Sequence, residues 1–141
     1  DAVDRAAEAP PESALKASQA IYDRLFSGEA LRDVMTDLRH SETEEARQAE
    51  KMMARNSPLA MACTVELVHR ARSSDTIEAA LRNEYRYTAR AMEHGDFLEG
   101  IRAAIIDKDR SPRWRHEGPL AVPAVDVANM LRPLGKDDWT I

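Results

Sequence analysis

The sequence is short of the residues on which several kinds of site depend. Among its 141 residues, Cys63 is the single cysteine, and one thiol cannot form an internal disulfide bond. None of the four histidines lies three or four positions from another, which excludes a histidine pair on one helix face as metal ligands. We therefore expect a protein of a reducing compartment, the cytoplasm, with no metal site and no cofactor.

Basic residues and long apolar runs are also scarce. Lysine and arginine total 20 against 25 acidic residues, and the formal net charge is -5 at pH 7. No basic stripe favours nucleic acid as a partner, and no apolar run approaches the roughly 18 residues of a membrane span. With 43% hydrophobic residues, the composition is typical of a globular protein with one core.

Helical spacing of apolar residues predicts an all-α fold. Six amphipathic helices and a short seventh, near residues 124–131, account for the chain, and the part after the sixth is a proline-rich tail. Pro10 and Pro11 exclude a helix across the start, so residues 1–11 are predicted to be a linker or crossover and residues 12–141 one helical domain. The first two predicted helices carry the apolar positions Leu15, Ile21, Tyr22, Leu25, Phe26, Leu31, Val34, Met35 and Leu38.

Local signals predict where these helices begin and end. Ser27 is expected to cap the second helix, and Gly95 to take a left-handed conformation after the fifth. Four further start signals combine a serine or aspartate with proline or glutamate: Ser41-x-x-Glu44, Ser57-Pro58, Asp75-x-x-Glu78 and Asp96-x-x-Glu99. Capping of free backbone N–H groups therefore accounts for these carboxylates.

Motifs of catalysis are missing as well. The sequence has no G-x-S-x-G elbow, no phosphate-binding loop and no G-x-G-x-x-G pattern. Cys63 has no neighbouring histidine or lysine, so a buried inert thiol is expected. Glu84 is expected to form an ion pair with Arg86 or Arg102. The helix faces that carry methionine are expected to form either ordinary core or an adaptable surface for a partner. We predict no catalytic residue in this chain.

Residues 84–114 carry the most distinctive pattern, EYRYTARAMEHGDFLEGIRAAIIDKDRSPRW. This pattern resembles the carboxy-terminal region of the 3-hydroxyisobutyryl-CoA hydrolases, a branch of the crotonase (enoyl-CoA hydratase/isomerase) superfamily. The resemblance runs from about Ala17 to the end of the chain, and DFxEGxRAxxxDKDxSPxW is its most specific part. The signature positions are Glu84, Tyr85, Arg86, Asp96, Phe97, Glu99, Gly100, Arg102, Asp107, Lys108, Asp109, Pro112 and Trp114. Gly100 is expected to let another backbone approach closely, and Trp114 to anchor the tail.

The resemblance implies that this chain is the helical oligomerisation and lid region of a larger acyl-CoA thioesterase. The whole enzyme would hydrolyse 3-hydroxyisobutyryl-CoA, a step of valine breakdown, with catalytic carboxylates and oxyanion donors in an amino-terminal part. Alone, this chain is expected to be inactive. Met92 and Lys108 correspond to positions that contact coenzyme A in related hydratases, although the first of these is aromatic there. Lys108 is alternatively a charge that complements the end of a helix.

Two other interpretations stay open at this stage. One is the carboxy-terminal part of an enoyl-CoA hydratase or isomerase with the same tail. The other is a free-standing helical module that binds a partner. The partners expected are an acyl-CoA substrate in the parent enzyme and either further copies of the chain or its amino-terminal part. A covering part implies an exposed apolar face, which we expect on the early helices, from Leu15 to Leu38.

Overall fold

All regular elements are helical in the residues that the computed structural model describes, 11–74 and 76–139. The α-helices are α1 (Ala14–Ala17), α2 (Gln19–Leu25), α3 (Leu31–His40), α4 (Glu44–Met53), α5 (Pro58–Arg72), α6 (Ile77–Ala91), α7 (Phe97–Ile101) and α8 (Ala124–Leu131). A π-helical turn, Arg102–Ile106, continues α7, and short 3-10 turns span Pro119–Ala121 and Gly135–Asp137. The predicted all-α fold class is confirmed.

The first predicted helix is two helices in the structure. Between α1 and α2, Ser18 leaves helical geometry (φ -97°, ψ 6°), and its hydroxyl donates to Glu45 Oε1 at 3.0 Å. Residues 1–10, which hold most of the predicted linker, lie outside the described residues. The predicted boundary near residue 12 therefore stays a prediction.

The start of α3 differs from the prediction. Ser27 does not cap this helix, because its hydroxyl donates to the carbonyl of Arg24 at 3.0 Å. The helix begins at Leu31, and Asp33 Oδ2 accepts the backbone N–H of Ala30 at 3.0 Å. A carboxylate in the first turn thus satisfies the free donor that the serine was expected to satisfy.

Threonines, rather than the predicted residues, cap α4 and α6. The hydroxyl of Thr43 accepts the N–H of Ala46 at 3.3 Å, whereas Ser41 bonds the same hydroxyl at 2.9 Å. At the start of α6, Thr76 accepts the N–H of Ala79 at 3.3 Å. Asp75, the predicted cap there, lies outside the described residues.

The core consists of two clusters, and α5 contributes to both. The larger one lies among α2, α3, α4 and α5, with the buried residues Leu25, Leu31, Val34, Met35, Leu38, Ala46 and Ala62. The smaller one lies where α5 meets α8, with Leu59, Cys63, Met130 and Leu131. Burial raises the pKa of Cys63 to about 12, so the thiol is protonated at neutral pH, as an inert buried cysteine should be.

The exposed apolar face does not lie where the sequence suggested. Leu25, Val34 and Leu38 are 1–2% exposed, so the early helices use their apolar stripe for the core. The large apolar side chains at the surface come instead mainly from α6, α7 and the π turn: Ile77, Leu81, Tyr85, Met92, Phe97, Leu98, Ile105 and Ile106. Of the predicted positions, Leu15 and Phe26 do lie at the surface, 69% and 40% exposed, so the expected apolar face is not continuous over residues 15–38.

Gly95 serves a different purpose from the predicted one. Among the described glycines only Gly135 has a φ in the left-handed region, at 66°, so the expected left-handed conformation at Gly95 is absent. A Cβ atom built on Gly95 would lie 2.8 Å from the carbonyl oxygen of Ala91 and 3.2 Å from its Cα. This position requires glycine because the chain turns back against the backbone of the last turn of α6.

We expect Gly95→Ala to destabilise the fold by about 1–3 kcal/mol, because rigid backbone atoms must move to admit the methyl group. Gly100→Ala is the matched control, since its Cβ would meet only the Trp114 ring at 3.6 Å, an ordinary contact, and alanine favours the helix. Urea unfolding followed by circular dichroism measures both. Equal stability of the two variants would contradict this explanation of Gly95.

Candidate functional site

The guanidinium group of Arg102 gathers the signature carboxylates. Its Nε and Nη2 donate to the two oxygens of Glu99 at 2.9 and 2.7 Å, and its Nη1 donates to Asp107 at 2.6 Å and Asp109 at 2.8 Å. Nη2 also reaches the carbonyl of Ser111 at 3.1 Å. One side chain of the π turn thereby ties down the whole loop that follows it.

These contacts lower the pKa values of Glu99 and Asp109. The pKa of Glu99 falls to about 2, first because of its hydrogen bonds from Arg102 and then because the backbone N–H of Arg113 donates to it at 2.6 Å. Arg102 and the backbone N–H of Ser111 also lower the pKa of Asp109. Both groups are therefore charged acceptors at neutral pH, which excludes them as general acids.

The loop backbone is held in uncommon geometry. Lys108 and Arg110 have φ values of 55° and 53°, a region that side chains other than glycine seldom occupy. The N–H of Arg110 donates to the carbonyl of Ala103 at 3.0 Å and folds the loop back on the π turn. Lys108 is exposed and lies beyond the last π-helical residue, Ile106.

Asp96 binds distant segments and does not cap its own helix. Its Oδ2 accepts the hydroxyl of Ser57 at 2.5 Å, and its Oδ1 accepts the N–H of Arg115 at 2.9 Å. Ser57 itself caps α5 as predicted, accepting the N–H of Ala60 at 3.1 Å. The predicted Asp96–Glu99 capping pair is therefore wrong: both carboxylates hold the segment after the loop against the helices.

An apolar groove of about 310 Å³ runs between α6 and α7. The indole of Trp114 packs beside Gly100, which thus admits a side chain and not the expected second backbone. Tyr87, Phe97 and Ile105 complete the apolar walls. Trp114 is half-buried in this groove, whereas Phe97 remains 53% exposed.

Three further signature residues, Glu84, Tyr85 and Arg86, lie on α6. Arg86 binds Asp138 through Nε and Nη2, at 2.9 and 2.5 Å, and Tyr85 stacks at an angle on Trp139 with ring centroids 6.2 Å apart. Glu84 is exposed, and its expected partners Arg86 and Arg102 are engaged elsewhere. Pro112, which lies after the π turn, is half-buried. Met92, the predicted coenzyme A contact, is 58% exposed just after the last residue of α6.

Sequence reasoning missed Arg90, which is 8% exposed. Its guanidinium donates to the carbonyls of Met130, Arg132 and Pro133 at 3.1, 2.7 and 3.1 Å, at the carboxyl end of α8. Arg70 adds a bond to the Leu131 carbonyl at 3.2 Å. The sequence indicates this role only indirectly. A cation is favourable at the carboxyl end of a helix, and α8 has no basic residue in its own last turn, so the cation must come from elsewhere.

Comparison with known proteins places this arrangement in a family. The family described as Enoyl-CoA hydratase/isomerase matches residues 1–131. The chain belongs to this family. Its curated relatives include the mitochondrial 3-hydroxyisobutyryl-CoA hydrolases of Mus musculus, 32% identical over 113 residues, and of Homo sapiens, 31% identical over 113 residues. Each alignment covers 80% of this chain.

Two solved structures share the fold over 95% of the chain. An enoyl-CoA hydratase from Rhodobacter sphaeroides superposes with a TM-score of 0.89 at 49% identity, and a carnitinyl-CoA dehydratase from Mycobacterium thermoresistibile with 0.84 at 32%. The chain corresponds to 40% and 39% of those chains, and to 29% of the mouse hydrolase.

Among the residues that the structure describes, none of the helices is long and apolar enough to cross a membrane.

The Arg102 contacts should weaken in acid. Because the pKa of Glu99 is lowered from 4.5 to about 2, its contribution to stability is complete above pH 4.5 and is lost as the pH falls toward 2. The NMR signal of the Trp114 indole should shift in that range. Arg102→Gln should produce the shift at pH 7, whereas Arg47→Gln, which removes an exposed pair with Glu44, should not. A Trp114 signal that Arg102→Gln leaves unchanged would contradict the role of Arg102.

Proposed function

We propose that this chain is the helical carboxy-terminal region of a 3-hydroxyisobutyryl-CoA hydrolase-like acyl-CoA thioesterase of valine catabolism. The observation that carries the proposal is the identity of 32% to the mouse hydrolase over 113 residues, together with a signature loop whose residues contact one another. Those contacts give the signature a structural purpose, since Arg102 holds the loop that carries Lys108.

Catalysis is assigned to residues outside this chain. Thioester hydrolysis needs oxyanion donors and a group that activates water. The carboxylates of Glu99, Asp107 and Asp109 are bound to Arg102, and that of Asp96 to Ser57 and the Arg115 backbone. Carboxylates in such contacts hold segments of the chain together, which supports a positioning role for this region.

Lys108 and Met92 are the proposed contacts with coenzyme A. Lys108 stands exposed on the constrained loop, and both neighbouring aspartates direct a carboxylate oxygen to Arg102. Its ammonium group is therefore free of the two acidic neighbours and suited to a phosphate. Met92, exposed after α6, would offer a flexible apolar contact in place of an aromatic ring.

The exposed apolar side chains of α6, α7 and the π turn are the proposed contact with the rest of the enzyme or with further copies of it. Ile105 and Ile106 are 64% and 68% exposed, and Ile77 is 66% exposed. Neighbouring exposed apolar side chains such as Ile105 and Ile106 are typical of surfaces that another chain or domain covers. This surface replaces the early helices as the expected place of association.

A second candidate is the carboxy-terminal region of an enoyl-CoA hydratase. The observation that favours it is the 49% identity to the Rhodobacter sphaeroides enoyl-CoA hydratase, which is higher than the 32% identity to the mouse hydrolase.

We also retain the prediction of a cytoplasmic location, although the curated relatives are named as mitochondrial proteins. Recovery of the native protein in a mitochondrial fraction would contradict it.

The 141-residue chain should release no free thiol from 3-hydroxyisobutyryl-CoA, whereas the parent protein encoded by the native gene should release coenzyme A. A thiol-reactive dye measures both. Hydration of crotonyl-CoA by the parent, without thiol release, would favour the second candidate. Hydrolysis by the chain alone would refute the assignment of catalysis to other residues, and a native mass equal to that of the 141-residue chain would favour a free-standing helical module.

Replacement of Lys108 by alanine should weaken coenzyme A binding about tenfold, the cost of one charge-assisted contact. Calorimetric titration of the parent protein measures the change. Lys51→Ala, an exposed lysine in the last turn of α4, is the control and should bind coenzyme A as the unmodified protein does. Equal affinity of all three proteins would remove Lys108 from the binding site.

A further inference from the structure

A cavity of about 270 Å³ lies where the end of α6 and the segment after the loop meet α8. Its polar lining comes from Arg90, His94, Arg115, Asp126, Asn129 and Arg132. Three arginine residues thus line one small space in a protein whose formal net charge is -5. Such a local excess of positive charge opposes the overall charge and attracts anions.

Arg90 lies at this cavity as a buried cation. Within residues 11–74 and 76–139, no carboxylate pairs with it, and its hydrogen bonds go to backbone carbonyls, including that of Arg86 at 3.3 Å. Burial and the neighbouring cations Arg132 and Arg86 lower the pKa of Arg90, while the charge of Asp138 acts in the opposite direction. Buried charges in proteins are as a rule paired, so a counter-ion beside Arg90 would be favourable.

The carboxylate in the lining does not supply that counter-ion. Asp126 Oδ2 lies 2.9 Å from Nε2 of His116, whose side chain is 9% exposed. Arg115 and Arg132 are exposed at the surface, and His94 adds a third exposed group that gains charge when protonated. The lining therefore offers more positive than negative charge to a molecule that enters.

We propose that this cavity binds a phosphate group. Planar guanidinium groups match the oxygens of phosphate with paired hydrogen bonds, and the exposed side chains of Arg115 and Arg132 are suited to such bonds. Arg90, whose Nη1 and Nη2 donate to carbonyls, adds its positive charge. The volume lies below the roughly 300–1,000 Å³ of pockets that enclose whole ligands, so a single phosphate fits better than a complete nucleotide. The group comes either from free phosphate or from a phosphate ester that projects into the cavity.

The rim arginines test this site without loss of the fold. Arg90→Gln would leave the carbonyls at the end of α8 without their donor, so its failure to fold would be uninformative. Arg115→Gln and Arg132→Gln change exposed side chains. Each should weaken the binding of inorganic phosphate about tenfold, and the double variant should abolish it. Arg47→Gln, on α4, is the control and should bind phosphate as before.

Isothermal titration of the 141-residue chain with phosphate at constant ionic strength measures these affinities. Titrations with coenzyme A and with dephospho-coenzyme A distinguish the source, because only the former carries a phosphate monoester. Stronger binding of coenzyme A than of phosphate, lost in the double variant, would assign the site to an ester; the reverse order would assign it to free phosphate.

Two results would overturn the proposal: no heat of phosphate binding by the folded chain, or equal affinity in the rim variants and the control. Lys108→Ala should leave phosphate binding unchanged, which separates this cavity from the proposed coenzyme A contact. The proposal for the cavity does not depend on the thioesterase assignment. Thioester hydrolysis by the parent protein, with no phosphate bound here, would refute this site alone.

Discussion

The carboxylate of Asp96 joins three segments that are far apart in the sequence. It accepts a hydrogen bond from the hydroxyl that caps α5 and another from a backbone N–H of the segment after the loop, while Asp96 itself immediately precedes α7. Because Asp96 is 9% exposed, both bonds form in a largely desolvated environment where an unsatisfied acceptor would be costly. The position of the loop relative to α5 therefore depends on this one side chain.

Arginine side chains perform most of the other long-range cross-linking in this acidic chain. Arg102 holds the loop after the π turn, Arg86 holds Asp138 near the end of the tail, and Arg90 holds the end of α8. The guanidinium group suits this task because it has five donors in a fixed plane and stays charged when partly buried. Among the residues that the structure describes, Arg90 differs in donating to carbonyls alone, which leaves its charge available to an anion in the adjoining cavity.

Local sequence patterns predicted the positions of the helices, but they did not predict which side chains bind one another. Apolar spacing indicated each helical segment because a helix must present one face to a core, wherever that core lies. The pattern of Asp96 and Glu99 is compatible both with a cap and with a tertiary contact, since the two uses need the same residue types. Gly95 was likewise recognised as a special position, but its cause is a close approach to Ala91 and not a left-handed backbone.

The sequence by itself determined the all-α class, the approximate helices and the membership of the enoyl-CoA hydratase/isomerase family. Apolar periodicity and the motif of residues 96–114 can be read directly from the order of the residues, without knowledge of the fold. Tertiary structure alone decided which carboxylates bind Arg102, that α6 and α7 expose the apolar face, and that Arg90 lines a cavity with two other arginines. These features depend on which distant segments pack together. Residues as far apart as Arg90 and Arg132 become neighbours only when α6 and α8 are folded against each other.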